Sequence, residues 1–141
     1  MNGVNLDMLG KRDPDQYGDL TFDELEVSIR HWAKDLGLDP ILFQTNSEGE
    51  FVEFLHRIPD TADALVLNPG AWTHYSWAIR DAVEIAAVPV VEVHLSDVDN
   101  REEWRKLSVL EGLTLARVAG KGPDGYREAL ETLRDELSRT Q

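Results

Sequence analysis

From residue 22 onward, amphipathic helical stripes alternate with short apolar runs, and few folds accommodate that rhythm. Thr21-Phe22-Asp23-Glu24 is a capping box, in which the threonine accepts from an early helical N–H and the glutamate reaches back. Behind it, Phe22, Leu25, Ile29, Trp32, Ala33 and Leu36 recur at helical spacing, and Gly37 ends the helix. Residues 41–45 have the length of a strand. Residues 47–50 form a second capping box. It leads a helix that turns Phe51, Phe54, Leu55 and Ile58 inward and stops at Pro59-Asp60. Residues 64–67 read as a buried strand before the turn Asn68-Pro69-Gly70. Residues 75–87 read as helix and 89–95, PVVEVHL, as the strongest strand. Asp99 caps a short helix through Trp104 and Leu107, with Glu102 three residues on. Residues 114–119 form another strand, 120–125 turn, and Tyr126, Leu130, Leu133 and Leu137 stripe a last helix.

The four strands and four main helices in this reading alternate. They therefore require parallel strands joined by helical crossovers, an α/β layered fold. Such folds place ligands outside the carboxyl ends of the strands. The segments to inspect are 46–47, 68–74, 94–105 and 120–125.

The chain has 141 residues, 42% hydrophobic, which fits a single domain over 1–141 with a real core. No apolar run approaches bilayer length, and the N-terminal stretch lacks the basic-then-apolar order of a signal peptide. Cysteine is absent, so disulfides and thiolate metal sites are excluded. A cytoplasmic, soluble protein is expected. The net charge is -13. Such a surface repels phosphate backbones and anionic membranes, so neither nucleic acid nor membrane is an expected partner. The charge serves solubility, and the scarcity of Lys beside Arg also fits adaptation to high salt. An anionic ligand would need a local positive site against this field.

Several residues can carry chemistry. In PVVEVHLS, Glu92 and His94 share one strand face. A carboxylate so placed orients an imidazole, and His94 lies at the carboxyl end of its strand. The same pattern also serves a structural pair under a helix. In NPGAWTH, Asn68-Pro69-Gly70 presents backbone amides at a strand end, and His74 lies at the same mouth. A capped turn and an anion site share that pattern. Arg101 and Arg105 are four apart, suited to clamping carboxylates or hydroxyls or to a solvated surface pair. Arg12 and Tyr17 lie in the Gly- and Pro-punctuated opening stretch, where a guanidinium favours a phenolate. No phosphate loop, GxSxG elbow or paired-histidine metal motif is present.

Taken together, these residues resemble the type II 3-dehydroquinate dehydratases. The family's opening pattern is matched by Asn2-Gly3-Val4-Asn5-Leu6, Leu9-Gly10, Arg12, Pro14 and Tyr17-Gly18. Its N-P-G-[AG]-x-T-H-x-S pattern falls on 68–76, E-V-H-[LI]-S on 92–96, R-E-x-F-R on 101–105 with Trp104 for Phe, and G-x-x-G-Y on 122–126. The resemblance implies a flavodoxin-like three-layer sandwich with a parallel sheet ordered 2-1-3-4-5. It also implies anti elimination of water from 3-dehydroquinate through an enolate, with no metal and no organic cofactor. Tyr17 would be the base and Arg12 would keep it ionised. Asn5 would stabilise the enolate, His94 would be the general acid, and Glu92 would orient it. Residues 5–18 would be a mobile lid. Asn68 and Gly70, with the amides of Leu95 and Ser96, would hold the substrate carboxylate, and His74 and Arg105 the ring hydroxyls. Asp81 would act from a neighbouring subunit of a homo-oligomer, a dodecamer built as a tetramer of trimers. Arg101 would be structural or on the rim. The role would be aromatic biosynthesis through the shikimate pathway or quinate breakdown.

The sequence departs from the family pattern at Val4, where Pro is usual, and at Asp97-Val98-Asp99, where Asn-x-His is usual. The two aspartates would bring negative charge near an anionic substrate. That motivates an alternative, a paralogue with an altered cyclic hydroxy-keto acid substrate or reduced activity. A third reading is a non-catalytic acidic α/β module. The family's apolar first strand before Asn-Gly is also not seen here. We expect the natural chain to begin upstream, with Met1 a misassigned start or artificial boundary. The other expectation is a gap filled by a neighbour's strand or by rearranged pairing.

Overall fold

The computed structural model describes residues 1–141. Helices α1 (Pro14–Tyr17), α2 (Phe22–Asp35) and α3 (Glu48–Thr61) come first, then strand β1 (Leu65–Leu67), helix α4 (Trp77–Ala86), strands β2 (Val90–His94) and β3 (Ala116–Ala119), and helix α5 (Asp124–Arg139). The strands are parallel and ordered β1-β2-β3. β2 is buried along its whole length, which is why it reads Val-Val-Glu-Val-His with apolar residues facing both layers. On one face, Val91 and Val93 pack with Leu25, Ile29 and Ala33 of α2 and Ala129, Leu130 and Leu133 of α5. On the other, Val90 packs with Phe51 and Leu55 of α3 and Ile79 and Val83 of α4. No helix is long and apolar enough to cross a membrane.

The local signals act as their chemistry demands, with four corrections. The first capping box forms in full, Thr21 and Glu24 exchanging bonds of 3.2 Å each. The second forms by half. Ser47 caps the Glu50 N–H at 3.3 Å, but the Glu50 carboxylate accepts from the Thr45 hydroxyl at 2.6 Å instead of turning back. α3 also runs through Pro59 to Thr61, because a proline in the last turn removes only one helical bond there. The short helix expected behind Asp99 is two 3-10 turns, Val98–Asn100 and Glu103–Lys106, and Asp97 holds the capping position of the first. Residues 41–45 form no strand of their own, and pair through a single bridge at Gln44.

That bridge reveals what occupies the centre of the sheet. Asn2 donates to Phe43 O at 2.8 Å and accepts from Thr45 N at 3.2 Å. On the other side, Gly3 donates to Asn68 O at 2.8 Å, and Asn68 donates to Met1 O at 2.9 Å. Both bridges are parallel. The spatial order is therefore 41–45, 1–3, β1, β2, β3, the expected 2-1-3-4-5 order with its central member reduced to one bridge on each side. Below Met1 the flanks part around a cleft of about 610 Å3, lined by Ile29, Ala33, Leu42, Phe54, Leu65, Val66 and Leu130 among others. The Met1 ammonium donates to Val66 O at 2.8 Å there, and burial lowers its pKa from 8.0 to about 5.

The carboxyl ends of these segments converge. A Cβ on Gly3 would sit 2.4 Å from Pro69 O, and one on Gly70 would sit 2.7 Å from Val4 O. Gly70 also has φ 65°, which side chains disfavour. The two crossings bring the 3–5 and 68–70 stretches to van der Waals contact. Gly3→Ala is expected to lower stability by about 1–3 kcal/mol through overpacking. Urea denaturation measures this, and an unchanged midpoint would contradict the close crossing.

Candidate active site

At this end of the sheet a cavity of about 120 Å3 is lined by Asn5, Arg12, Tyr17, Asn68, Gly70, His74, His94, Leu95, Ser96, Arg101 and Arg105, with Val4, Leu6, Ala71 and Val98. Three arginines thus line one small space on a protein of net charge -13. That is the local positive site an anionic ligand would need. Of the residues expected here, only Glu92 and Asp81 do not line it. Glu92 lies directly behind His94. Asp81 is exposed on the outer side of α4, on the face that also exposes Trp77 and Ile85.

Each side chain is held by a definite element. Pro14 starts α1 at its first helical position, where a missing N–H costs nothing, and Asp13 caps it through Asp15 N at 3.0 Å. α1 ends on Tyr17. The Tyr17 hydroxyl oxygen accepts from Arg12 Nη2 at 2.8 Å and from Arg101 Nη1 at 2.7 Å. The Arg12 guanidinium also lies 3.7 Å above the Tyr17 ring centre. Arg101, set at the rim by the sequence reading, instead reaches the centre and also donates to Ser96 Oγ at 3.1 Å. Arg105 turns elsewhere, pairing with Glu102 and stacking 4.2 Å from the Trp104 ring centre. Asn5 adopts φ 69°, and its N–H donates to Asn46 Oδ1 at 2.8 Å.

Glu92 is 1% exposed. Its carboxylate accepts from the Thr73 hydroxyl at 2.6 Å, the Ser108 hydroxyl at 2.7 Å and His94 Nε2 at 2.6 Å. Burial is the largest influence and raises the carboxyl pKa, but the bonds from His94, Thr73 and Ser108 and the His94 charge outweigh it. Glu92 therefore stays below its ordinary 4.5. An ionised acceptor fixes the proton on His94 Nε2 and leaves Nδ1 as the other reacting nitrogen. His74 Nδ1 lies 2.7 Å from Leu107 O, so it must donate there, leaving Nε2 as an acceptor. Burial, chiefly, lowers the His74 pKa from 6.5, and the charges of His94, Arg105 and Arg117 add to the effect against the Leu107 bond.

Asn68 is oriented from beneath. Its Nδ2 donates to the Tyr126 hydroxyl at 2.8 Å, and its Oδ1 accepts from Gly70 N at 3.1 Å. Tyr126 in turn donates to Asn2 Oδ1 at 2.7 Å. The sequence gives Tyr126 a place in a core stripe and in the 122–126 motif but no role at the site, and Ser108 no place at all, since neither lies near its partner in the chain.

The chemistry of this constellation is readable. A phenol flanked by two guanidinium donors and a carboxylate-backed histidine line the same cavity. The Glu92 bonds are present above pH 4.5 and lost as pH falls through its lower folded value. Glu92→Gln should therefore flatten the acid arm of the stability profile, read as melting temperature against pH. An acid arm as steep as that of the parent would contradict the assignment of Glu92 as a buried anion.

The family model described as Dehydroquinase class II matches residues 1–134. The 3-dehydroquinate dehydratase of Thermotoga neapolitana is 51% identical over 134 residues, covering 95% of this chain and 91% of that protein. That of Pelobacter propionicus is 47% identical, covering 92% of this chain and 88% of that protein. The crystal structure of type II dehydroquinase from Propionibacterium acnes superposes with a TM-score of 0.90 at 39% identity, over 95% of this chain and 92% of that one. The one from Butyrivibrio crossotus does so with a TM-score of 0.89 at 36% identity, over 94% and 92%. Model, relatives and structures agree over nearly the full length: the chain belongs to the class II dehydroquinase family.

Proposed function

We propose that this protein dehydrates 3-dehydroquinate to 3-dehydroshikimate, and that the double arginine contact on Tyr17 is the observation that carries the reading. Two cationic donors meet on one phenolic oxygen, at 2.8 and 2.7 Å, and charge-assisted bonds of this kind are the strong ones. A phenolic oxygen so held in a small cationic cavity is the group placed to take a proton from a C–H beside a ketone.

The steps follow from the placement. The substrate carboxylate is drawn in by the arginines and held beside Asn68 and the 95–96 backbone. Tyr17 removes the proton from C2, and the C–H electrons pass into the carbonyl to form an enolate, stabilised on the Asn5 side. The enolate then re-forms the ketone and expels the β-hydroxyl, which takes a proton from His94 and leaves as water. The elimination proposed is anti. Residues 5–18 act as the lid that brings Arg12 and Tyr17 onto the bound substrate. No step needs a metal or an organic cofactor.

The acidic 97–99 stretch does not favour an altered substrate. Neither Asp97 nor Asp99 lines the cavity. Asp97 accepts from Asn100, and Asp99 pairs with Arg117 at 3.5 Å. The exposed Trp77, Asp81 and Ile85 on α4 support assembly through that face, with Asp81 lent to a neighbour's site in a dodecamer. The setting proposed is cytoplasmic, in aromatic biosynthesis or quinate breakdown.

Mixing the protein with 3-dehydroquinate should give the rising near-ultraviolet absorbance of a conjugated enone. No rise at high protein concentration from folded material would contradict the function. Tyr17→Phe should lower kcat by about a hundredfold or more with the fold intact, and full activity would remove Tyr17 from its role. Light scattering should give a dodecamer, and Asp81→Ala should raise KM more than it lowers kcat. A fully active monomer would contradict the shared site.

A further inference from the structure

Arg117 on β3 is the one charged residue beside the Glu92–His94 pair that the mechanism above leaves unused. It is the register partner of Glu92 across β2 and β3, so both side chains project from the same face. Its Nε lies 3.7 Å from Glu92 Oε2, and its Nη1 lies 3.5 Å from Asp99 Oδ1. Its Nε and Nη2 are buried without a hydrogen-bond partner, and no other buried side-chain nitrogen or oxygen is left so. Buried donors are costly to leave unmade, so their persistence beside a carboxylate calls for an electrostatic reason.

We propose that Arg117 is a positioning residue of this site, the permanent counter-ion of Glu92 while His94 gives up and regains its proton, and the anchor of the 98–100 turn through Asp99. The inference rests on the dehydratase reading and extends it. Glu92 has one cationic partner whose charge comes and goes, because His94 must lose a proton to the departing hydroxyl. A guanidinium does not deprotonate. With Arg117 at ion-pair distance, Glu92 remains an anion when His94 is neutral, so it keeps the imidazole oriented for reprotonation instead of taking the proton itself. Thr73 and Ser108 hold the carboxylate in place but are neutral. The other ionisable groups around the pair are His74 of the 70–74 turn, Arg105 of the 103–106 turn and Asp99. Arg117 is the only cation with a direct approach to the carboxylate, apart from His94.

The second arm answers the acidic departure at 97–99. Asp99 is exposed, and its charge is balanced by Arg117, which ties the 98–100 turn to β3. Arg101, the residue that follows this turn, reaches Tyr17 and Ser96. One guanidinium therefore steadies both walls of the cavity.

The test is the pH dependence of kcat and KM for Arg117→Gln and Arg117→Lys with 3-dehydroquinate. Arg117→Gln is expected to lower kcat about tenfold with little change in KM. It should also move the acidic limb of kcat upward by about one pH unit, since a lost cation makes Glu92 easier to protonate. Arg117→Lys, which keeps the charge, should hold the limb near its native position. If Arg117→Gln overlays the parent, or Arg117→Lys shifts as far as Arg117→Gln, the proposal fails. Should Arg117→Gln not fold, the double variant Asp99→Asn/Arg117→Gln removes both charges together and the limb is read there. A parent protein that never turns over 3-dehydroquinate overturns the proposed function alone. The same shift is then read from the acid arm of thermal unfolding, where an unmoved arm in Arg117→Gln overturns the counter-ion role.

Discussion

The site depends on one buried carboxylate. Glu92 stands in the middle of the most buried strand, where an ion without partners would not be tolerated. Its partners come from four places in the chain: Thr73 after β1, His94 on β2 itself, Ser108 before β3, and Arg117 on β3. The requirement to satisfy this one group therefore draws together the 70–74 turn, the 103–108 stretch and two strands. The 70–74 turn, the 103–108 stretch and β2 each also lend a residue to the cavity: His74, Arg105 and His94. Once Glu92 is fixed, the His94 proton on Nε2 is fixed and Nδ1 is the nitrogen left for chemistry.

The Tyr17 part of the lining is held differently. Tyr17 ends a four-residue helix with no fully buried residue. Its hydroxyl is held by Arg12 from the same segment and Arg101 from the turn after β2, both donating to one oxygen. The site thus joins a rigid, buried half to a half fastened by a few polar contacts, and the latter is the half suited to opening and closing. The global field of a chain at -13 repels anions. Three arginines around about 120 Å3 set positive charge against that field at this mouth.

Much of this was legible in the sequence because the signals are local. The Thr21–Glu24 box, the stripe of α2, the alternation of PVVEVHL and the Asn-Pro-Gly turn all act within a few residues. The strand-end rule then pointed to the side of the sheet where the arginine-lined cavity of about 120 Å3 lies. What sequence could not show was pairing at a distance. Tyr126 reads as a core aromatic, yet its hydroxyl ties Asn2 to Asn68. Ser108 carries no motif, yet it completes Glu92. Arg101 and Arg105 look like neighbours on one helix face, but the segment is broken into 3-10 turns. The two arginines then separate, one toward Tyr17 and one toward Glu102 and Trp104. The reduced first strand was legible too, from the missing apolar run before Asn2-Gly3. Residues 1–3 hold the first-strand place only through bridges to Gln44 and Asn68.

The central claim is that the Tyr17 oxygen, held by two arginines, removes a proton beside a ketone. The most direct measurement follows, by proton NMR with the parent protein, 3-dehydroquinate carrying deuterium at one C2 position and, separately, at the other. The account predicts that one labelled substrate loses its deuterium as 3-dehydroshikimate forms and that the other retains it at the vinyl position. A substrate spectrum unchanged in the presence of folded protein, or deuterium partly lost from both substrates, would contradict it.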